Sequence, residues 1–287
     1  INENDTGKTV EGFLKERGYT HQVLVRLKQT DHGILRNGIW AYTNERLCKD
    51  DLITVQIVEN ECSDNIAPVN LPLDIAYEDD DIIVINKPFD MPAHPSAGNH
   101  DNTLANALMY YYGSQNKPFV YRCINRLDRD TTGLTIVAKH ALAGGILGNA
   151  VAKRAIHRTY YAVCSGCTPA CMRISAPIAR KDASTIERCV DFKRGENAVT
   201  DFIRIKYNPD NNLSLVKLRL LTGRTHQIRV HMKYIGFPLI GDFLYNPDYT
   251  YISRQALHSG RLVFTHPVTG QKMNLISDIP SDMKSLF

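Results

Sequence analysis

The chain has 287 residues, of which 43% are hydrophobic and 22% charged, a composition typical of a soluble globular protein. No apolar run approaches the ~20 residues that a membrane helix needs, and residues 1–5 lack the features of a signal peptide, so we expect no membrane partner. Seven cysteines without framework spacing indicate reduced thiols in a cytoplasmic protein. The length suits one large domain with a small attached module.

The net charge of +4 is unevenly distributed along the chain. Residues 1–65 hold 8 basic and 11 acidic side chains, whereas residues 66–287 hold 26 and 19. Basic residues are concentrated in residues 122–158 and in residues 217–233, and the second stretch contains no acid. If the fold brings these stretches together, they form a basic cleft suited to a polyanion. Two separate solvated basic faces are the alternative.

Residues 1–65 are predicted to form a small N-terminal α/β module. Apolar residues at helical spacing predict two helices, with Thr9 as a candidate N-cap. Asn37-Gly38 predicts a hairpin turn, and alternation in residues 52–58 predicts a strand. Two helices followed by short strands ending in Asp-Asp-Leu-Ile-Thr-Val resemble an S4-type RNA-binding module. Its acidic balance departs from what phosphate contact needs, so this S4-like module is degenerate.

Residues 66–287 are predicted to form the larger domain, after a polar linker in residues 60–70. Strands and helices are mixed in this region without a regular β-α-β rhythm. Strands are predicted at residues 75–77, 82–85, 134–138, 159–164 and 213–220, and helices at 103–109, 141–155 and 226–235. This pattern favours an α+β fold with a largely antiparallel mixed sheet, flanked by helices and loops.

The stretch of residues 122–139 carries the strongest indication of chemistry. Asp128 and Asp130 alternate there with Arg126 and Arg129, just before a β-branched run. A carboxylate between guanidinium groups has its ionised form stabilised, and loops that enter buried strands often carry catalytic residues. Asp128 is therefore the candidate catalytic residue, and a turn-forming or ion-paired aspartate is the structural alternative.

Particular residues argue against several other functions. The Asp-x-Asp-x-Thr-Gly that starts at Asp128 is similar to a calcium loop, but the position of its bidentate Glu is Lys139. The cysteines of residues 164–171 fit zinc-ligand spacing only loosely. His226 and His231 are five apart rather than four, with no Glu between them. We therefore expect no metal and no cofactor.

Residues 125–134, Asn-Arg-Leu-Asp-Arg-Asp-Thr-Thr-Gly-Leu, resemble the central motif of the RluA-type RNA pseudouridine synthases. Further stretches resemble other motifs of that family in the same order: residues 77–88, His94-Pro95, residues 158–162, residues 222–231, Gly241-Asp242 and Leu257-His258. The resemblance covers nearly all of residues 70–287, and ordered motifs are far more specific than any one alone.

This resemblance implies a pseudouridine synthase fold and an RluD-like enzyme that isomerises specific uridines in ribosomal or transfer RNA. Asp128 would act in the detachment of uracil from ribose, and Tyr160 would stack on the flipped-out base. Arg224 would pair with Asp128, with Arg229 as the alternative partner. RNA contacts would come from Arg126, Asn125, Arg129, Lys87, His94, Arg158, His226 and Arg229. The family usually has His in place of Asn125, so an altered RNA contact is expected there.

RNA is thus the expected partner of a protein that we expect to be monomeric. A catalytically silent RNA-binding or ribosome-assembly protein on the same fold is the alternative. A glycoside hydrolase would need two opposed carboxylates, one of them a general acid. Asp128 and Asp130 lie together among basic residues and leave no evident general acid.

Overall fold

The computed structural model describes residues 1–182 and 186–287. The helices are α1 (Val10–Glu16), α2 (His21–Gln29), α3 (Leu104–Gly113), α4 (Ala141–Ala152), α5 (Gln227–Tyr234) and α6 (Ser281–Lys284). The strands are β1 (Ile34–Arg36), β2 (Ile39–Trp40), β3 (Ile53–Val55), β4 (Ile75–Glu78), β5 (Ile82–Lys87), β6 (Arg122–Cys123), β7 (Thr132–Ala138), β8 (His157–Ser165), β9 (Cys171–Ser175), β10 (Ile178–Arg180), β11 (Arg188–Val190), β12 (Val199–Asn208), β13 (Leu213–Leu220), β14 (Leu257–Thr265) and β15 (Lys272–Ile276).

The N-terminal residues fold into two helices and a three-stranded sheet of order β2-β1-β3. Thr9 caps α1 by accepting the N–H of Gly12 at 3.1 Å, as the sequence predicts. Asn37 and Gly38 both have positive φ, 53° and 82°, which suits the two-residue turn between β1 and β2. The predicted helices and hairpin are therefore confirmed.

The larger part of the chain is built on one sheet whose strand order is β4-β5-β7-β14-β8-β13-β12-β9. Strand β15 pairs with β14 and β6 pairs with β7, both antiparallel. Each pairing of this sheet is antiparallel except that of β7 with β14, which is parallel. The expectation of an α+β fold with a largely antiparallel mixed sheet is confirmed.

Helices cover both faces of the strands that lead to Asp128. On one face, α4 packs against β5 and β7 through Ala143 and Leu147. On the other face, α3 packs against the alternate residues of the same strands through Leu104 and Leu108. Every residue of β7 is buried, so the loop that precedes this strand is fixed at a rigid edge.

The parallel pairing of β7 with β14 depends on a glycine. Gly133 has φ +106°, and a Cβ atom on it would lie 2.3 Å from the carbonyl oxygen of Ser259. Only glycine allows the two backbones to approach this closely. The register Thr132↔His258 then places the loop before β7 against the start of β14.

The segment between the two parts, residues 56–74, contains neither helix nor strand. It is nevertheless fastened to the larger domain, because Ser63 N–H donates to the Phe119 carbonyl (3.0 Å) and Val69 N–H donates to the Asn106 carbonyl (3.1 Å). No helix of the described residues is long and apolar enough to cross a membrane.

Candidate active site

Asp128 lies in the loop between β6 and β7. The turn is closed by a hydrogen bond from the Thr131 N–H to the Asp128 carbonyl at 3.1 Å. The carboxylate is half-buried, with 29% of the side chain exposed. It therefore sits at the floor of a depression, reachable from solvent but supported from below by the buried strand β7.

The partner of Asp128 is Arg229, whose Nη1 donates to its Oδ2 at 3.0 Å. Arg229 is 1% exposed and projects inward from the first turn of α5. The prediction that Arg224 makes this pair is wrong. Arg224 precedes the helix and is exposed, and its guanidinium pairs with Glu196 and donates to the Asn197 carbonyl (3.1 Å).

A second carboxylate fixes the direction of the Arg229 side chain. Nε and Nη2 of Arg229 each donate to Asp242 at 2.7 Å, and Asp242 is fully buried. The rings of Phe243 and Tyr245 lie 5.4 and 5.0 Å from the guanidinium carbon. Pairing with both aspartates raises the pKa of Arg229 against the effect of burial. Because Asp242 takes two of the guanidinium nitrogens, the third is directed at Asp128.

Tyr160 and Asp128 line one small cavity of about 90 Å³ together with Arg229, Arg158 and Leu257. Tyr160 is 4% exposed on β8 and packs in the core behind this cavity. The structure thus brings the predicted tyrosine and aspartate together, although they are 32 residues apart in sequence. Leu257, from the edge of β14, completes an apolar wall beside them.

His226 faces Asp128 from the start of α5, with Nε2 3.9 Å from Oδ2. The Tyr245 hydroxyl accepts the N–H of Arg188 (2.9 Å) and lies 2.9 Å from His226 Nδ1. Burial raises the pKa of Tyr245 to about 12 and lowers the pKa of His226. Tyr245 therefore stays protonated and donates to Nδ1, which leaves the neutral His226 with its Nε2–H toward Asp128.

Above this cavity opens a cleft of about 910 Å³ with a basic lining. The predicted RNA-binding residues His94, Arg126, Arg129, Arg158 and His226 all line it. Arg154, Arg219 and Arg224 also line this cleft. Arg154 and Arg219 were not predicted as site residues, although both belong to the two basic stretches of the sequence. These stretches therefore meet in one cleft rather than on two separate faces.

Two residues predicted to contact RNA have buried side chains. Asn125 is 3% exposed, its Oδ1 accepts the Ile136 N–H (2.9 Å), and its Nδ2 donates to the Leu134 carbonyl (3.3 Å). Lys87 is 1% exposed and donates to the carbonyls of Pro88 (2.7 Å) and Arg129 (2.8 Å). Both side chains support the backbone of the Asp128 loop from inside. Lys87 does not line the cleft, so the prediction that it contacts RNA is wrong, whereas Asn125 lines the cleft and its contact with RNA stays a prediction.

One group of possible metal ligands occurs in the described residues, formed by Asp79, Asp81 and His266. Nδ1 of His266 accepts the backbone N–H groups of Val268 (3.3 Å) and Thr269 (3.1 Å). Its Nε2 is therefore the protonated nitrogen, and it donates to Asp79 at 2.8 Å. With no lone pair at Nε2, the group is a hydrogen-bond network rather than a metal site.

A buried arginine that holds a half-exposed carboxylate at the floor of a basic cleft is an arrangement suited to catalysis on a polyanion. The sequence pattern of the RNA pseudouridylate synthase family matches residues 81–234. An uncharacterized RNA pseudouridine synthase of Bacillus subtilis, YjbO, is 38% identical to this chain. The match covers 97% of this chain and 98% of the length of YjbO. The ribosomal large subunit pseudouridine synthase D of Escherichia coli is 36% identical over 100% of this chain and 92% of its own.

A solved structure supports the same conclusion. Human RNA pseudouridylate synthase domain containing 1 has a TM-score of 0.61 and 26% identity, covering 72% of this chain and 83% of its own. The chain belongs to the RNA pseudouridylate synthase family, in its RluA/RluD-type branch, and is an isomerase that acts on RNA. The relation predicted from the ordered motifs is confirmed.

Proposed function

We propose that the protein converts specific uridines of ribosomal RNA to pseudouridine, with Asp128 as the catalytic carboxylate. The observation that carries this proposal is the Asp128–Arg229 pair at 3.0 Å, in a cavity shared with Tyr160 under the basic cleft. Relatives named for the ribosomal large subunit support ribosomal RNA as the substrate. Transfer RNA is the alternative substrate class.

The reaction exchanges two bonds on one base. The bond from ribose C1′ to uracil N1 breaks, a bond from C1′ to C5 forms, the hydrogen at C5 leaves as a proton, and N1 takes up a proton, so that the product is an isomer of the substrate. In this proposal Asp128 acts on the nucleotide, and its hydrogen bond from Arg229 supports a fixed position of the carboxylate. Arg126 and Arg158 hold the phosphates of the extruded nucleotide in this proposal, which their position in the lining of the cleft supports.

The target base has to leave its stack to reach this site. Flipping a nucleotide costs a few kcal/mol, and stacking of a base on an aromatic ring returns ~1–3 kcal/mol. Tyr160 and Leu257 line the cavity beside Asp128 and offer the apolar walls on which the base can pack. The depth of Asp128 below the cleft surface is consistent with a flipped substrate.

The test is release of tritium from transcripts labelled at uracil C5, compared between large-subunit ribosomal RNA and transfer RNA. We expect release from ribosomal RNA with the wild type and none with Asp128→Asn, whose binding to RNA should stay within about twofold because the isosteric change leaves the cleft lining in place. Release from transfer RNA alone would reassign the substrate. Full activity of Asp128→Asn would overturn the catalytic role.

We also propose that residues 1–65 form a degenerate S4-like module and that the protein works as a cytoplasmic monomer. Their own three-stranded sheet, with two helices packed on it, supports a distinct module. All seven cysteines are free, which fits a reducing compartment. A catalytically silent assembly protein is disfavoured because Asp128, Arg229 and Tyr160 are assembled in one cavity. Analytical ultracentrifugation tests the monomer.

A further inference from the structure

The face of the large sheet that points away from α5 is only partly covered. On the α5 side, residues such as Tyr160, Phe202 and Leu218 pack with that helix in the core. On the other side, the C-terminal segment covers one half of the strands, where Met283 packs against Leu213. The remaining half, which we call the open face, exposes its side chains, with Ile203 59% accessible to solvent.

The open face is defined by residues that the strand registers place side by side. It comprises Arg173, Asp201, Ile203, Lys217, Arg219, His157, Thr159, Arg261, Val263 and Lys272. One row crosses the sheet from Asp201 through Arg219 and Thr159 to Arg261. Because neighbouring strands lie ~4.8 Å apart, the step from Arg219 to Arg261 spans about 10 Å, roughly the rise of three stacked nucleotides.

The charge of this face is strongly positive. Its acidic member, Asp201, is already held by Arg173 through two hydrogen bonds of 2.6 and 2.8 Å. The other basic side chains, Lys217, Arg219 and Arg261, as well as Lys272, form no ion pair with the described residues. Arg261 donates only to the uncharged side chain of Asn274 (2.8 Å), and Arg219 neighbours Asp201, whose carboxylate Arg173 already holds. The positive charge of the open face therefore exceeds its acidic charge, which makes a polyanion the complementary ligand.

The open face is continuous with the active cleft. A groove of about 510 Å³ on the face is lined by His157, Lys217, Arg219 and Arg261. His157 and Arg219 also line the cleft above Asp128. A polyanion that leaves the cleft at this end meets the open face directly, and exposed Ile203 offers an apolar surface beside the charges.

We propose that the open face binds the segment of the RNA substrate that flanks the target uridine, through phosphate contacts with Lys217, Arg219 and Arg261. The proposal rests on the proposed function for the identity of the RNA. The substrate-binding surface would then extend beyond the cleft, past the start of β8 and the end of β13. Phosphate contacts of this kind position an RNA without reading its sequence.

The test measures the dissociation constant of a fluorescently labelled large-subunit ribosomal RNA transcript between 0.05 and 0.2 M salt, about the range where phosphate contacts dominate. For Lys217→Gln/Arg261→Gln, we expect the slope of log Kd against log salt to fall by roughly one per lost contact. The matched control is Lys117→Gln/Lys193→Gln, which removes the same charge from exposed residues outside both the cleft and the open face. Lys217→Arg in the Arg261→Gln background should recover the part of the slope that Lys217 contributes, since it returns that one charge.

Equal slopes for the two double variants, with circular dichroism showing both folded, would overturn the assignment of the open face to RNA. If the open face instead binds an acidic protein, the two double variants would likewise give equal slopes, and the assignment to RNA would be overturned. Tritium release by the wild type is recorded separately on the same transcript. Absence of release would refute the proposed substrate, whereas the salt slopes decide the role of the open face.

Discussion

At the residue scale, Asp242 determines where the guanidinium of Arg229 points. Its two hydrogen bonds of 2.7 Å leave one nitrogen of Arg229 for Asp128. We predict that Asp242→Asn lowers turnover by about 10²-fold, because a displacement of the pair near 1 Å has that effect. RNA affinity should be nearly unchanged, since neither Asp242 nor its partner lines the wide basic cleft. Single-turnover kinetics with saturating RNA measures the rate.

The same change should also destabilise the fold. Removing one partner of a buried ion pair costs ~3–5 kcal/mol, and Arg229 and Asp242 are 1% and 0% exposed. Asp201→Asn is the matched control, because it breaks an equally bidentate pair whose arginine is 62% exposed; it should cost under ~1 kcal/mol. Equal losses in the free energy of unfolding by urea would contradict the role of burial.

The buried Lys87 should make the free energy of unfolding depend on pH. Burial lowers its pKa to about 7, only partly opposed by Asp130 and Asp128. Above pH 7 the folded state releases this proton while the unfolded chain keeps it up to pH ~10. The free energy of unfolding therefore gains roughly 1 kcal/mol per pH unit from this group between pH 7 and 10. Denaturation of wild type and Lys87→Met from pH 6 to 9 should give diverging curves, and parallel curves would refute the shift.

The aspartate and the basic lining could be predicted because each carries a local signature, whereas the tyrosine was assigned only through the family resemblance. Asp128 lies among arginines before a strand, and Tyr160 lies in residues 158–162, which resemble a motif of the family. The choice between Arg224 and Arg229 could not be made, since it depends on which side of α5 faces the core. Lys87 was misassigned for the same reason: a polar residue beside a motif looks accessible until its burial is known.

At the scale of elements, the parallel contact of β7 and β14 was not predicted. The two strands are far apart in sequence, and the alternation of apolar residues does not tell which strands become neighbours. The signal in the chain is Gly133, whose φ of +106° and contact with Ser259 exist only in the folded pair. Local patterns were sufficient for α3, where Thr103 and Asn106 form a complete capping box.

Gly133→Ala should therefore be among the most destabilising changes in the sheet. A Cβ at this position would approach the Ser259 carbonyl oxygen to 2.3 Å, a backbone atom that cannot move away. We expect a loss above ~4 kcal/mol, the range reserved for exceptional single changes. Gly270→Ala is the control, since its φ of +72° gives similar backbone strain but no atom lies within 4 Å; it should cost ~1–2 kcal/mol. Comparable midpoints in guanidinium chloride would contradict the steric explanation.

At the scale of the whole molecule, α4 joins the two parts of the chain. Ala143 and Leu147 pack in the core of the large sheet. On its other side, Leu142 is 5% exposed within the core of the N-terminal module. A Cβ on Gly18 would lie 2.6 Å from Ile146, which shows how closely the module approaches this helix. The module and the large domain therefore share a structural element rather than a flexible tether.

The expected consequence is a single cooperative unfolding transition. Trp40, the one tryptophan of the chain, lies on β2 and reports on the module by fluorescence, whereas far-UV circular dichroism reports mainly on the larger domain. Leu142→Ala should create a cavity at the junction and cost ~2–5 kcal/mol, shifting both signals together. Leu262→Ala, in the core of the large sheet, is the discriminating control. If the parts are coupled, Leu262→Ala also lowers the midpoint of the unfolding transition that Trp40 fluorescence follows. An unchanged midpoint in Trp40 fluorescence would show that the module unfolds independently.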